Sequence, residues 1–99
     1  MDETKVREHA EAHGQAIETG DLQRAGSDVA DEFQPHLREV MSHMPRPVTS
    51  AELVGVDPAG DDEYFSTIRY SGEDKTTTFK ARWAERENRP MIVDIQVVD

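Results

Sequence analysis

Two histidines lie four residues apart near the start of the chain, at His9 and His13. On a helix, residues at this spacing share one face, so the two imidazole rings would lie side by side. Such a pair can contribute ligands to zinc or place a general acid or base beside a pocket. The alternative is a purely structural role, in which the two histidines are partly buried and hydrogen-bonded on the flank of an apolar stripe. His36 and His43 come later, and spacing alone does not show whether they approach.

A metal site is not expected at these histidines. Two ligands are too few for a structural metal site, and the sequence supplies no obvious third. The run Met41-Ser42-His43-Met44 combines thioether and imidazole groups that suit copper. Both methionines also fall on an apolar helical stripe, which favours a role in core packing. We therefore predict neither a metal nor a cofactor.

The carboxylates offer one further candidate for chemistry. Asp94 is the only acidic residue inside an otherwise apolar stretch near the end of the chain. It could act as a catalytic base, but pairing with a cross-strand cation, Arg82 or Lys80, is the favoured interpretation. Asp28 and Asp31 fall on a helical stretch and are expected to be solvated. No glycine-rich phosphate loop or nucleophile elbow is present.

Composition limits the classes of function that remain. The chain has 99 residues, so residues 1–99 are expected to form a single domain. Its net charge of −10 repels phosphate backbones and anionic lipid, which argues against nucleic-acid and membrane partners. Cysteine is absent, so thiolate chemistry is excluded. Without an apolar run of ~18 residues or a recognisable signal peptide, a cytoplasmic protein is expected.

The first half of the chain has helical periodicity. Residues 3–19 carry an apolar stripe at helical spacing, and Gly20 and Asp21 are suited to end this helix and cap the next. A second stripe continues to Met44, interrupted by Pro35. We predict two helices over residues 21–32 and 34–44, with a single kinked helix as the alternative.

From Val48 onward the periodicity changes to two, which indicates strands at residues 48–56, 63–70, 75–85 and 90–98. The segment Asp57-Pro58-Ala59-Gly60-Asp61 predicts a turn after the first of them. In the last hairpin, pairing Trp83 with Met91, Ala81 with Val93 and Phe79 with Ile95 would place both apolar sets on one face. That register leaves a three-residue loop, Arg86-Glu87-Asn88.

The order of these features resembles the NTF2-like superfamily, which includes nuclear transport factor 2, ketosteroid isomerases and SnoaL-type polyketide cyclases. The resemblance rests on Thr19-Gly20-Asp21-Leu22 after the first helix and on the closing strands, Phe79–Glu85 and Arg89–Val98. It implies an α+β fold in which N-terminal helices pack on the concave face of a curved four-stranded antiparallel sheet, a cystatin/NTF2-like cone. Family members are usually longer, so the cavity is expected to be small.

The resemblance implies a scaffold and no particular reaction. The expected function is an acidic, homodimeric domain, paired through the outer face of its sheet, that holds a small apolar ligand. The alternatives are a small isomerase- or cyclase-like enzyme with a pocket histidine as acid or base, and an interaction module for a basic partner protein. The candidates for lining the pocket are His9, His13, Phe33, Tyr64 and Trp83.

Overall fold

The computed structural model describes residues 1–98, which form an α+β fold with helices packed against one face of a four-stranded antiparallel sheet. None of the helices in this range is both long and apolar enough to cross a membrane. The strands follow one another in the sheet in chain order. The elements are α1 (Glu3–Thr19), α2 (Leu22–Gly26), a 3-10 helix (Asp31–His36), α3 (Leu37–Met41), β1 (Ser50–Gly60), β2 (Glu63–Ser71), β3 (Thr76–Arg86) and β4 (Arg89–Val97).

Helix α1 has the bounds that its sequence predicts. At its start, the Asp2 carboxylate accepts a hydrogen bond from the backbone N–H of Lys5 at 2.8 Å. At its end, Gly20 adopts a left-handed conformation with φ of 83°, which glycine tolerates better than other residues. The buried stripe along α1 faces the sheet and includes His13, so the helix places this imidazole inside the protein.

The prediction of two helices after α1 is wrong, because a short stretch of extended chain interrupts the first of them. The backbone N–H of Ile92 donates to the carbonyl of Asp28 at 2.7 Å, and the N–H of Ala30 donates to the carbonyl of Ile92 at 2.8 Å. This parallel bridge uses backbone groups that a continuing helix would need for itself. Helix α2 therefore ends at Gly26, and the segment around Pro35 is a 3-10 helix.

Two tight turns differ from their predicted positions. Strand β1 continues through the predicted turn and ends at Gly60, and the turn consists of Asp61 and Asp62, both with positive φ. The last hairpin turns at Glu87 and Asn88, again both with positive φ, in place of a three-residue loop. Two central residues of positive φ match the twist of an antiparallel hairpin, which explains why two-residue turns occur at both places.

The predicted register of the last hairpin is also wrong. Phe79 lies opposite Val97, Ala81 opposite Ile95, and Trp83 opposite Ile92. The pairing shifts between Arg82 and Trp83, so β4 contains one unpaired residue at a β-bulge. Because the bulge changes the pairing by one residue, Trp83 of β3 and Ile95 of β4 both point toward the helices, where they contact the buried clusters.

The interior consists of two adjacent clusters between the helices and the sheet. The first surrounds the fully buried Trp83 and includes Val6 and Ala10 of α1. The second lies toward the C-terminal end of α1, where Met44 packs with Phe79, as its place on the apolar stripe predicts. The two clusters share partly buried neighbours, among them Val40 and Ile95. A cavity remains where these two clusters meet.

Candidate functional site

The cavity has a volume of about 180 Å³ and lies between the helices and the inner face of the sheet. Most of the groups that line it are apolar side chains, and His13, Ser66 and Tyr70 are the exceptions. Leu22 of α2, one of the lining residues, is 57% exposed, so the lining extends to the surface of the protein. The lining consists of His13, Ile17, Leu22, Ala25, Gly26, Val29, Leu37, Val40, Met41, Met44, Ser66, Ile68, Tyr70, Phe79, Ala81, Ile92 and Ile95.

Strand periodicity places the cavity's two hydroxyl groups. Residues two apart on a strand point to the same face, so Ser66, Ile68 and Tyr70 of β2 lie together, and the fold turns this face toward the cavity. Ser66 Oγ accepts a hydrogen bond from the indole Nε1–H of Trp83 at 2.9 Å. Tyr70 is buried, and no hydrogen-bond partner of its hydroxyl is found among residues 1–98.

The Tyr70 hydroxyl is a protonated group at neutral pH. Burial raises its pKa above the ordinary value for tyrosine, because the phenolate would lose its hydration in this apolar setting. A neutral hydroxyl can donate one hydrogen bond and accept others. The cavity therefore carries a hydrogen-bonding group at Tyr70 that no side chain in the described range uses.

Asp28 lies beside the cavity wall at the centre of a buried ionic cluster. Its side chain is fully buried, and it accepts hydrogen bonds from three elements of the fold. His13 of α1 contacts one carboxylate oxygen at 3.0 Å, Arg24 of α2 contacts both oxygens at 2.9 and 3.0 Å, and Arg89 of β4 contacts one. The backbone bridge to Ile92 holds Asp28 in this position.

The expectation that Asp28 is solvated is therefore wrong. Burial by itself raises the pKa of Asp28, but the hydrogen bonds from His13, Arg24 and Arg89 outweigh it. The pKa of this carboxyl consequently lies below its ordinary value, and Asp28 is ionised at neutral pH. Helical periodicity does not predict the burial of Asp28, because this residue lies beyond the end of α2, on the extended segment bridged to β4. The one available signal was its spacing of four residues from Arg24.

His13 connects the ionic cluster to the cavity. An ionised carboxylate can only accept, so the Nδ1 atom of His13 carries the hydrogen in the bond to Asp28. In the neutral ring this leaves the lone pair on Nε2. The ring lies edge-on to Trp83, with centroids 6.2 Å apart, and forms part of the cavity lining. No hydrogen bond to Nε2 is found within residues 1–98.

The other predicted pocket residues lie around the cavity without lining it. Trp83 lies behind His13 and Ser66, in the adjacent cluster. His9 lies one turn closer to the N-terminus of α1 than His13, with its ring centroid 6.4 Å from that of Trp83. Tyr64 packs against the same cluster, and Phe33 lines a separate open groove between the 3-10 helix and β4. Their contact with a ligand stays a prediction.

The pKa of His9 lies below its ordinary value. The main cause is desolvation, to which the positive charges of Arg89, Arg24 and Lys5 add, although Asp28 acts in the opposite direction. His9 is therefore a neutral ring near pH 7, and it adds no charge to the neighbourhood of His13.

Asp94 lies on the opposite face of the sheet from the cavity, beside Arg82 in the register. Arg82 nevertheless pairs with Glu63, and Lys80 lies over the ring of Phe65, 4.3 Å from its centroid. Asp94 itself accepts a hydrogen bond from Gln96. The predicted pairing of Asp94 with Arg82 or Lys80 is therefore wrong, because an acidic residue on β2 reaches Arg82 across the sheet.

Residues 1–98 contain no cluster of three or more histidine, aspartate or glutamate side chains that could hold a metal ion. No protein-family model, curated protein or solved structure is significantly similar to this chain.

Proposed function

We propose that this chain is a small NTF2-like domain whose function is to bind a small, mostly apolar ligand between its helices and its sheet. The observation that carries the proposal is the cavity of about 180 Å³, whose lining includes the exposed Leu22. Small apolar cavities are normally closed by side chains in a well-packed protein, so a space of this size in so short a chain requires an explanation.

The size and chemistry of the lining define the ligand class. An apolar cavity of about 150 Å³ in another protein takes up benzene, so this cavity suits a molecule built on one small ring system. The apolar walls favour an uncharged ligand, because a charge would lose its hydration there. The free hydroxyl of Tyr70 and the Nε2 atom of His13 favour a ligand that also carries a polar atom.

Indole tests this proposal, because it combines a small ring system with one N–H group. We expect indole to shift the methyl resonances of Met41, Met44 and Ile68 in ¹H–¹³C spectra, with saturation at millimolar concentration or below. Ala25→Leu should fill part of the cavity and weaken binding about tenfold or more, which corresponds to ~1.4 kcal/mol.

The matched control for Ala25→Leu is Ala12→Leu, which places the same side chain on a part of α1 outside the cavity lining. Indole should bind this variant as it binds the wild-type protein. If indole produced no saturable shifts, or if Ala25→Leu and Ala12→Leu bound indole equally, the cavity would not be a binding site.

We further propose that two copies associate through the outer face of the sheet. This proposal is supported by Phe65, whose aromatic ring on that face lies within reach of the charged groups of Lys80 and Arg82. Sedimentation equilibrium at micromolar concentration should give twice the chain mass of 11.2 kDa. The mass of a single chain across that range would contradict the proposal.

A further inference from the structure

The hydrogen bonding of His13 goes beyond what a binding pocket needs. A ligand-binding cavity can be built from apolar walls alone, yet here a buried carboxylate and two arginines are arranged behind one wall residue. Asp28 receives hydrogen bonds from α1, α2 and β4, so three separate elements fix the position of its oxygens. Burying a charge in this way is costly unless it is fully paired.

We propose that His13 is a general base in the wall of the cavity, with Asp28 as its positioning residue. The substrate is a small neutral molecule with a weakly acidic C–H bond beside an electron-withdrawing group. This inference rests on the proposed function, because the substrate must first enter the cavity.

The Asp28 carboxylate sets the tautomer of the base. Because it accepts a hydrogen bond from Nδ1–H, the basic lone pair of neutral His13 is on Nε2, the atom without a partner among the described residues. Arg24 and Arg89 hold the carboxylate by its other lone pairs, which prevents it from rotating away from the imidazole. When His13 takes up a proton, the negative charge of Asp28 stabilises the imidazolium.

The surroundings of the base define the substrate. Ile17, Ala25 and Ile92 line the same cavity as His13, so a charged substrate would lose hydration without gaining a partner from these apolar side chains. A neutral substrate avoids this cost. A base in an apolar, water-poor site also interacts more strongly with the developing charge than it would in water.

The reaction needs no further reagent. The C–H bond breaks, the proton moves to Nε2 of His13, and the electron pair moves into the adjacent electron-withdrawing group. If His13 returns the proton to a different carbon, the substrate is isomerised. If the electron pair expels a leaving group instead, an elimination results and the proton passes from His13 to water.

Elimination of 1,2-benzisoxazole tests the base directly. In this reaction the base removes the proton on C3, the N–O bond breaks, and the product is 2-cyanophenolate, which is followed by its ultraviolet absorbance. The compound is neutral and consists of one small ring system, which matches the size and the apolar lining of the cavity. Its 3-methyl derivative lacks the proton and serves as an unreactive ligand for measuring binding alone.

We expect the wild-type protein to accelerate this elimination with saturation kinetics. His13→Asn retains an amide N–H for Asp28 but has no basic nitrogen, so kcat/KM should fall about 100-fold or more. The control is His43→Asn, which removes an exposed histidine that does not line the cavity and should leave the rate unchanged.

The outcomes separate the two proposals. Binding of the 3-methyl derivative without elimination, or elimination that His13→Asn retains, would overturn the general base and leave the binding function intact. Absence of binding would overturn both. If His13→Asn does not fold, Ala25→Leu takes its place, since elimination in the cavity must decrease when the cavity is filled.

The role of Asp28 has its own readout. Long-range ¹H–¹⁵N spectra should show neutral His13 protonated at Nδ1, and Asp28→Asn should shift the population toward the Nε2–H tautomer that dominates in water. A purely structural role for Asp28 would not change the tautomer in a folded variant. Protonation of wild-type His13 at Nε2 would contradict the assignment.

Discussion

Replacing Asp28 by alanine is expected to destabilise the folded protein by about 3 kcal/mol at pH 7, the lower end of the range for breaking a buried ion pair. The change leaves His13, Arg24 and Arg89 facing one another without the carboxylate that joins them. The effect stays at the lower end because both arginine side chains are partly exposed and regain hydration. Urea unfolding followed by circular dichroism measures it.

The matched control is Asp31→Ala, which removes a carboxylate that is exposed. A surface substitution of this kind usually changes stability by no more than about 0.5 kcal/mol. Equal losses in the two variants would contradict the role assigned to the buried cluster.

The same carboxylate gives the protein a defined response to acid. The pKa of Asp28 is lower in the folded state than its ordinary value of 3.8, so its stabilising contribution is complete above that value. The contribution is lost as the pH falls through the folded-state pKa. The difference in unfolding free energy between the wild-type protein and Asp28→Ala should therefore narrow below about pH 4.

Replacing Trp83 by alanine is expected to cost about 3–5 kcal/mol, the range observed for the largest buried aromatic residues. Trp83 is fully buried, contacts the first core cluster with Val6 and Ala10, and donates its indole N–H to Ser66. Removing the ring leaves a hole between α1 and the sheet that the backbone cannot close, because the strand pairing on both sides of β3 fixes its position.

Circular dichroism is the appropriate measurement, since Trp83 is the only tryptophan of the chain. Phe65→Ala is the control, because Phe65 lies on the other face of the sheet, beside Lys80 and Arg82. It should cost clearly less than Trp83→Ala. A loss below about 1 kcal/mol for Trp83→Ala would show that the ring is not part of a packed interior.

The hydrogen bond to Ser66 can be separated from the packing of the ring. Ser66→Ala alone leaves the indole N–H buried without a partner, which costs about 1–3 kcal/mol. With Trp83→Phe in the background that N–H is absent, so the same serine change should cost much less. This non-additivity is the signature of a direct pair.

Local patterns determined much of this fold. The start and end of α1 follow from Asp2, Gly20 and the stripe between them, since capping and helical periodicity depend on neighbours in sequence. The strand segments and the shared face of Ser66, Ile68 and Tyr70 follow from a periodicity of two. These features could be predicted because the backbone groups and side chains involved lie within a few residues of one another.

The candidate site could be predicted only in part. His13 was identified because its type and spacing on α1 already suggest chemistry. Asp28 was not, because its burial depends on Arg89, which is 61 residues away in sequence. A carboxylate near the end of a short helix is usually solvated. The buried position of Asp28 is stable only because β4 packs beside it and Arg89 donates a hydrogen bond to the carboxylate.

The tertiary structure alone decided the path of residues 27–36 and the bulge in β4. Both depend on contacts between distant segments. The backbone of Ile92 forms hydrogen bonds with the backbone of Asp28 and Ala30. The bulge allows Trp83 and Ile95 to face the helices together. The sequence by itself determined helix α1 and the four strand segments, because those preferences are local. The position of the cavity, and the carboxylate behind His13, arise from packing those segments against one another, where burial and long-range hydrogen bonds outweigh local preference.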